Sequence, residues 1–339
     1  TGRLWRRPEL RAALIEPDQG ELRDAWVQQN SETLASLLAD VREAVRGVNP
    51  AIELGLMTAG TVWASYSGPD HPRWFTALGA TKSRPGGGFY RDDPRGALIG
   101  KAMVVGQQRA QLPPTVTDCQ YELENFPYQK LHKSATTVVN ECTMALAMGL
   151  NGIAHNWLHM WGTSDADTLP LLAEAARWRP VWEQLVAWTA GAPTVGLREA
   201  STMHIMARRD VRPGESWFAQ PYAYTADLLA QIGLPFGADE PFCATVLRGR
   251  MAEGFTDDEL RAMLAGGLIL DSTALEVLER RGLGSLCGVR LAERRDNGLL
   301  ERFTDDPLNE PYVGERRDAR IEFWGNARGQ ADVLEPLGE

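Results

Sequence analysis

The stretch Asp118-Cys119-Gln120-Tyr121-Glu122-Leu123-Glu124-Asn125-Phe126-Pro127-Tyr128 holds the residues best suited to chemistry. Read as a strand, it places Gln120, Glu122 and Glu124 on one face and Cys119, Tyr121 and Leu123 on the other. Carboxylates are rarely buried without partners, so two on one face of an otherwise apolar strand ask for an explanation. Paired carboxyls can divide a bond cleavage between them, one attacking carbon while the other protonates the leaving oxygen. Glu122 and Glu124, two residues apart, sit at different depths and do not flank one bond from opposite sides. A partner acid should therefore come from another strand. Glu53 stands at a strand start and faces the wrong end. The plainer alternative is that these acids pair with Arg84 or Lys130 and only hold loops together.

Aromatic and polar residues gather in the neighbouring loops. Phe89, Tyr90, Phe126 and Tyr128 follow strands, and Trp157 closes the next strand with His155 and Asn156 beside it. Indole and phenol rings pack on the C–H faces of sugars, although a single aromatic residue more often serves the core. Trp178, Trp182 and Trp188 share one helix and read as packing. The run Arg84-Pro85-Gly86-Gly87-Gly88 lacks the order of a phosphate-binding loop and reads as a substrate loop, with Arg84 holding a carboxylate or hydroxyls. No metal-ligand spacing is present, so neither a metal nor a cofactor is expected.

The elements that must position these residues alternate. A short helix from Pro8 and a long amphipathic helix over Glu21–Arg46 come first. Strands are expected near 52–58, 80–83, 116–124 and 152–157, each followed by a helix; Ser134 caps one of these and Gly149 closes it. The order implies a parallel sheet and fits the C-terminal half, strands 5–8, of a (β/α)₈ barrel over residues 1–190. In such barrels active sites lie at the C-terminal strand ends, where Glu124 would stand, with Glu122 one layer deeper. An open doubly wound sheet has the same element order, and periodicity alone does not separate the two. Residues 194–290 read as a smaller α/β domain, with capping boxes at Thr256 and Thr273, and residues 291–339 as a truncated β-rich segment.

Composition narrows the class. The chain has 339 residues and a formal net charge of −10, which argues against nucleic-acid binding. No apolar run approaches the roughly 20 residues of a membrane helix. No basic, apolar leader is visible; this favours the cytoplasm only weakly, because a chain opening on Thr1 reads as a fragment of a longer protein. Cys119, Cys142, Cys243 and Cys287 lie far apart and read as free thiols. A lyase or aldolase would ask for a Schiff-base lysine; Lys82 and Lys101 are the barrel candidates, and neither clearly ends a strand.

Glu124-Asn125-Phe126-Pro127 resembles the nucleophile strand of clan A glycoside hydrolases, especially the family 42 β-galactosidases, in which a Glu ends the seventh barrel strand and a Pro follows closely. Gly152–Trp157 is similar to the eighth strand with its stacking Trp. The segment around Leu264-Ala265-Gly266-Gly267-Leu268-Ile269-Leu270-Asp271 is similar to that group's Rossmann-like trimerisation domain. The resemblance spans about Glu21 to Val289. It implies a retaining hydrolase of β-linked sugars with Glu124 as nucleophile and a homo-oligomer such as a trimer. The residues read as contacting an oligosaccharide, disaccharide or glycoside are Glu122, Asn125, Tyr128, Arg84, Tyr90, His155, Asn156 and Trp157, of which the resemblance itself implies the stacking Trp. The family's acid/base Glu ends the fourth strand and would precede Thr1, so the isolated chain is expected to lack it. A non-catalytic carbohydrate-binding or assembly protein on the same fold is the competing expectation.

Overall fold

The structure, a computed structural model, describes residues 4–60, 65–87, 89–90, 92, 95–124, 133–156, 165–212, 215–217, 227–296, 300–317 and 330–338. These form two compact units, 1–269 and 270–339.

The first unit opens with α1 (Arg7–Leu14) and the 29-residue α2 (Gly20–Val48). Buried Arg23 pins the turn between them, donating to the carbonyls of Leu14, Glu16 and Pro17 and to Ala207. Then follow β1 (Gly55–Thr58), α3 (His71–Leu78), β2 (Lys82–Pro85), α4 (Arg95–Ala110), β3 (Asp118–Glu124), α5 (Ala135–Ala147), β4 (Gly152–Asn156) and α6 (Asp165–Thr189). Gly79 ends α3 at φ 63°, a left-handed conformation that suits a residue without Cβ. Ser134 caps α5 by accepting from the Thr137 amide, as its position in the sequence suggested.

The four strands make one parallel sheet in chain order, β1-β2-β3-β4. Its two faces differ. Cys119, Tyr121 and Leu123 are buried in a cluster with Val105 of α4, Val138, Val139, Cys142 and Leu146 of α5, and Trp182 of α6. Burying an aliphatic side chain such as Leu123 or Leu146 contributes about 1.5–3 kcal/mol, which makes this helix-covered face the core. Asp118, Gln120, Glu122 and Glu124 alternate with those residues and lie on the other, part-exposed face, in the iBiBiBi order expected of a strand covered on one side. Register carries the polar face across the sheet. Asp118 stands beside Lys82, Glu122 beside Ala154 and Glu124 beside Asn156.

A second sheet continues the first unit. β5 (Leu197–Glu199) pairs in parallel with β6 (Ala244–Leu247), and β7 (Leu268–Leu270) lies beyond β6. Between them come the short helices α7 (Ile205–Arg208) and α8 (Asp227–Gln231), then α9 (Asp257–Ala265), which opens with the capping box expected at Thr256, both halves formed. Arg109 of α4 grips Asp239 with two hydrogen bonds of 2.7 and 2.5 Å, tying this loop to the four-stranded sheet.

The second unit holds α10 (Ser272–Arg280) and four strands, β8 (Val289–Asp296), β9 (Leu300–Phe303), β10 (Gly314–Arg317) and β11 (Gln330–Pro336). β8 pairs with β11 and β9 with β10, both antiparallel. One cap differs from expectation. α10 is capped by Asp271, which accepts from the Ala274 amide, so Thr273 lies inside the helix. Trp182 is buried as expected, but Trp188 is 73% exposed, because it falls near the end of α6 beyond the faces that meet α5. No helix among the described residues is long and apolar enough to cross a membrane.

Candidate active site

Alternation along β3 aims Glu124 off the polar face at the strand's C-terminal end, where Lys101 of α4 meets its carboxylate and Lys133, just before α5, its main chain. Its side chain is 13% exposed. Lys101 of α4 places Nζ 3.4 Å from Glu124 Oε2, and the Tyr90 hydroxyl donates to Oε1 at 3.1 Å. Lys133, just before α5, donates to the backbone carbonyl of Glu124 at 3.1 Å.

Behind Glu124 lies Glu141 of α5, its side chain only 1% exposed. It accepts from Lys133 Nζ at 2.6 Å and from the Tyr121 hydroxyl, and it lies 3.4 Å from Lys101 Nζ. Lys101 also donates to the Glu122 carbonyl at 3.3 Å and stands over the Tyr121 ring. Two ammoniums thus face two carboxylates in a nearly dry space, so the formal charges cancel, as buried ions require. Burial drives the Lys133 ammonium below its ordinary range, opposed by Glu141. Burial and the adjoining Glu141 push the Tyr121 phenol well above its range, so it acts as a neutral donor.

Glu122 lies one layer deeper. Its carboxyl is raised by burial first and by Glu124 second, with Arg84 and Lys101 pulling the other way. Arg84 approaches it to 3.5 Å and also lies against Met57. Gly86 leaves room for this carboxyl: a Cβ there would come within 2.1 Å of Glu122 Oε2. Such close approach gives the first glycine of the Pro-Gly-Gly-Gly run a steric role.

The residues expected at the site therefore separate. Glu124, Glu122, Arg84, Tyr90 and Asn156 come together at or near the polar face. His155 is in register with Leu123, so strand alternation turns it to the opposite face from Glu124. Asn125, Tyr128 and Trp157 lie outside the described residues, as do Phe126 and Lys130. Of the two structural pairings considered for the acids, Arg84 meets Glu122, while Glu124 is met by Lys101.

Lys133, Glu141 and Tyr121 are not among the residues the sequence singles out, and Lys101 enters there only as a Schiff-base candidate. The available signal was a charge inside an apolar pattern. Glu141 sits in the stripe Val138, Cys142, Ala145 on a helix, and Lys101 is followed by Ala102, Met103, Val104 and Val105. A charge in such a place calls for a buried partner.

No group of three metal-ligating side chains occurs among the described residues. A cavity of about 930 Å³ lies elsewhere in the first unit, walled by Gln107, Arg198, Glu199, Glu240, Phe242 and Phe255 among others, and holds none of the residues above. No family model matches the chain, and no curated protein or solved structure matches it either. What the arrangement can do follows from its geometry. A carboxylate fixed at two oxygens on the rim of a parallel sheet, with its lysine partner buried behind it, is set to attack an electrophilic carbon or to take a proton.

Proposed function

We propose that the chain carries the nucleophile half of a retaining glycoside hydrolase site, with Glu124 attacking the anomeric carbon of a β-linked, galactoside-like sugar. The observation that carries this reading is the carboxylate of Glu124 at the C-terminal end of β3, held by Lys101 and Tyr90. The one-sided sheet supports the architecture. Doubly wound sheets are covered by helices on both faces, whereas strands in sequential parallel order with helices on one face and a polar opposite face suit half of a (β/α)₈ barrel. On the same reading β5 to β7 belong to a Rossmann-like assembly domain, and the active protein is a homo-oligomer.

In the first step a Glu124 oxygen forms a bond to the anomeric carbon while the bond to the leaving oxygen breaks, and that oxygen takes a proton from a general acid. In the second, water attacks the same carbon, releases the Glu124 carboxylate and gives its proton to the acid's conjugate base. The acid must stand about 5–5.5 Å across the bond. Glu122, on the same strand and deeper, is not placed for that. Arg84, Asn156 and Tyr90 are on the side where a sugar would lie.

A second reading, a carbohydrate-binding protein without catalysis, is favoured by one observation. The described strand ends of β1, β2 and β4 present Thr58, Pro85 and Asn156, none of them an acid. A 2-deoxy-2-fluoro-β-galactosyl fluoride separates the readings. The hydrolase accumulates one covalent sugar on the Glu124 peptide by mass spectrometry, and E124Q accumulates none. Saturable sugar binding with no adduct and no turnover selects the binding protein.

A further inference from the structure

Beyond the nucleophile itself, we propose that Glu141 is a positioning residue for Glu124, acting through Lys101 and Lys133. The inference rests on the reading of Glu124 as nucleophile.

Each polar contact of the Glu141 carboxylate leads to β3. Its Oε1 shares Lys101 with Glu124 Oε2, each oxygen 3.4 Å from the ammonium. Its Oε2 takes Lys133 at 2.6 Å, and that ammonium holds the Glu124 carbonyl at 3.1 Å. One carboxylate therefore fixes both the side chain and the main chain of Glu124. Tyr121 of β3 adds a third tie by donating to Glu141 Oε1, which locks α5 to the strand itself. Phe89 closes the far side of Lys133, its ring centroid 4.8 Å from the ammonium.

The charges explain why the anchor must be an anion. The side chains of Lys101 and Lys133 are 2% and 3% exposed. Without Glu141, two ammoniums would compete for one carboxylate, Glu124, in a space where water hardly reaches. Glu124 would be drawn back onto them and its lone pairs turned from a bound sugar, or one lysine would give up its proton. With Glu141 present, Lys133 is occupied and Lys101 is shared, so Glu124 keeps one defined ammonium contact, at Oε2, beside the Tyr90 hydroxyl at Oε1. Misplacement of a reacting group by about 1 Å can cost about a hundredfold in rate.

The test is a charge-balance cycle on the full chain with 2-deoxy-2-fluoro-β-galactosyl fluoride as the probe, whose fluoride leaves without a general acid, read as the rate of covalent labelling of Glu124. E141Q should lower the maximal labelling rate by about ten- to a hundredfold with little change in the half-saturating sugar concentration, because binding contacts remain. E141D, which keeps the anion, should recover part of that loss. The double variant E141Q/K133M restores one ammonium to one carboxylate, so it should be more active than E141Q alone. Residues coupled in this way give non-additive effects. A purely structural role makes the double variant worse than either single one, and that result, or E141Q labelled at the wild-type rate, overturns the proposal.

Lysine ¹⁵Nζ NMR supplies a readout independent of turnover. E141Q should displace the Lys101 and Lys133 signals together, and E124Q the Lys101 signal most. If the wild type binds the fluorosugar without being labelled by it, the nucleophile reading fails while coupled shifts keep the anchoring intact. Uncoupled lysine signals sink the anchoring itself.

Discussion

Lys101 and Glu124 meet at 3.4 Å, one from the middle of a helix and the other from the end of a strand, 23 residues apart in the chain. The lysine is the more deeply buried of the two, at 2% exposure. Its ammonium is therefore solvated chiefly by protein: Glu124, Glu141, the Glu122 carbonyl and the Tyr121 ring. Removing one member of a buried ion pair leaves an uncompensated charge, which costs about 3–5 kcal/mol. K101M should lose stability on that scale in urea unfolding, far more than the exposed pair Arg179–Glu183, whose disruption should cost about 0.3–0.5 kcal/mol. Equal losses in the two variants would show that the rim cluster carries no special burden.

Glu122 gives a pH-dependent expectation. Burial and Glu124 raise its carboxyl, so the folded state favours the protonated form more than the unfolded chain does. Stability from this group is then greatest in acid and declines as pH rises from the ordinary carboxyl range through the raised folded value. E122Q keeps the shape and removes the titration. The stability of wild type relative to E122Q should fall between pH 4 and pH 7, measured as the difference in Tm. A difference flat over that interval would mean that Arg84 fully compensates the burial. G86A acts on the same carboxyl from the other side. Its Cβ would sit 2.1 Å from Glu122 Oε2, the end of a flexible side chain. The expected cost is about 1 kcal/mol, together with a change in the Glu122 profile.

Much of this arrangement was legible in the chain. The alternation Gln120, Glu122, Glu124 against Cys119, Tyr121, Leu123 fixes the two faces of β3 because strand periodicity is a local property. Ser134 and Thr256 declare their helix starts for the same reason. What was not legible depends on long-range encounter. Lys101 lies on a helix, where lysine commonly faces water, and its burial follows only when β3 and α5 deliver Glu124 and Glu141. His155 adjoins Asn156 in sequence, yet the pleat separates the two onto opposite faces. Thr273-Ala274-Leu275-Glu276 has capping-box spelling, but Asp271 takes the cap two residues earlier, and short polar side chains so close together compete for one helix start.

The thiols offer a check on the core. Burial pushes Cys119 up to about 12, and burial with Glu141 raises Cys142 as well. Cys243 is exposed and Cys287 is partly buried. A thiol reagent that consumes thiolate should modify Cys243 promptly in the native protein, Cys287 more slowly, and Cys119 and Cys142 only on unfolding. Native-state labelling of Cys142 would contradict the packing of α5 against β3.

His71 sets an acid limit to stability. It is 2% exposed in the first turn of α3, and its Nδ1 has no hydrogen-bond partner among the described residues. Burial lowers the imidazole from 6.5 to about 4, with Asp70 opposing only in part. The folded state thus binds the proton more weakly than the unfolded chain. Stability from this group is complete above the unfolded value and drains away as pH falls from 6.5 towards 4, because the unfolded state then takes up the proton first. A shift of this size corresponds to roughly 3 kcal/mol across the window. H71F removes the titrating group and keeps an aromatic ring beside Trp74, whose ring centroid lies 6.0 Å from that of His71. Urea unfolding at pH 7, 6, 5 and 4 should show a steep decline for the wild type and a shallower one for H71F. Parallel curves would place the acid sensitivity in other groups and leave His71 solvated in the native state.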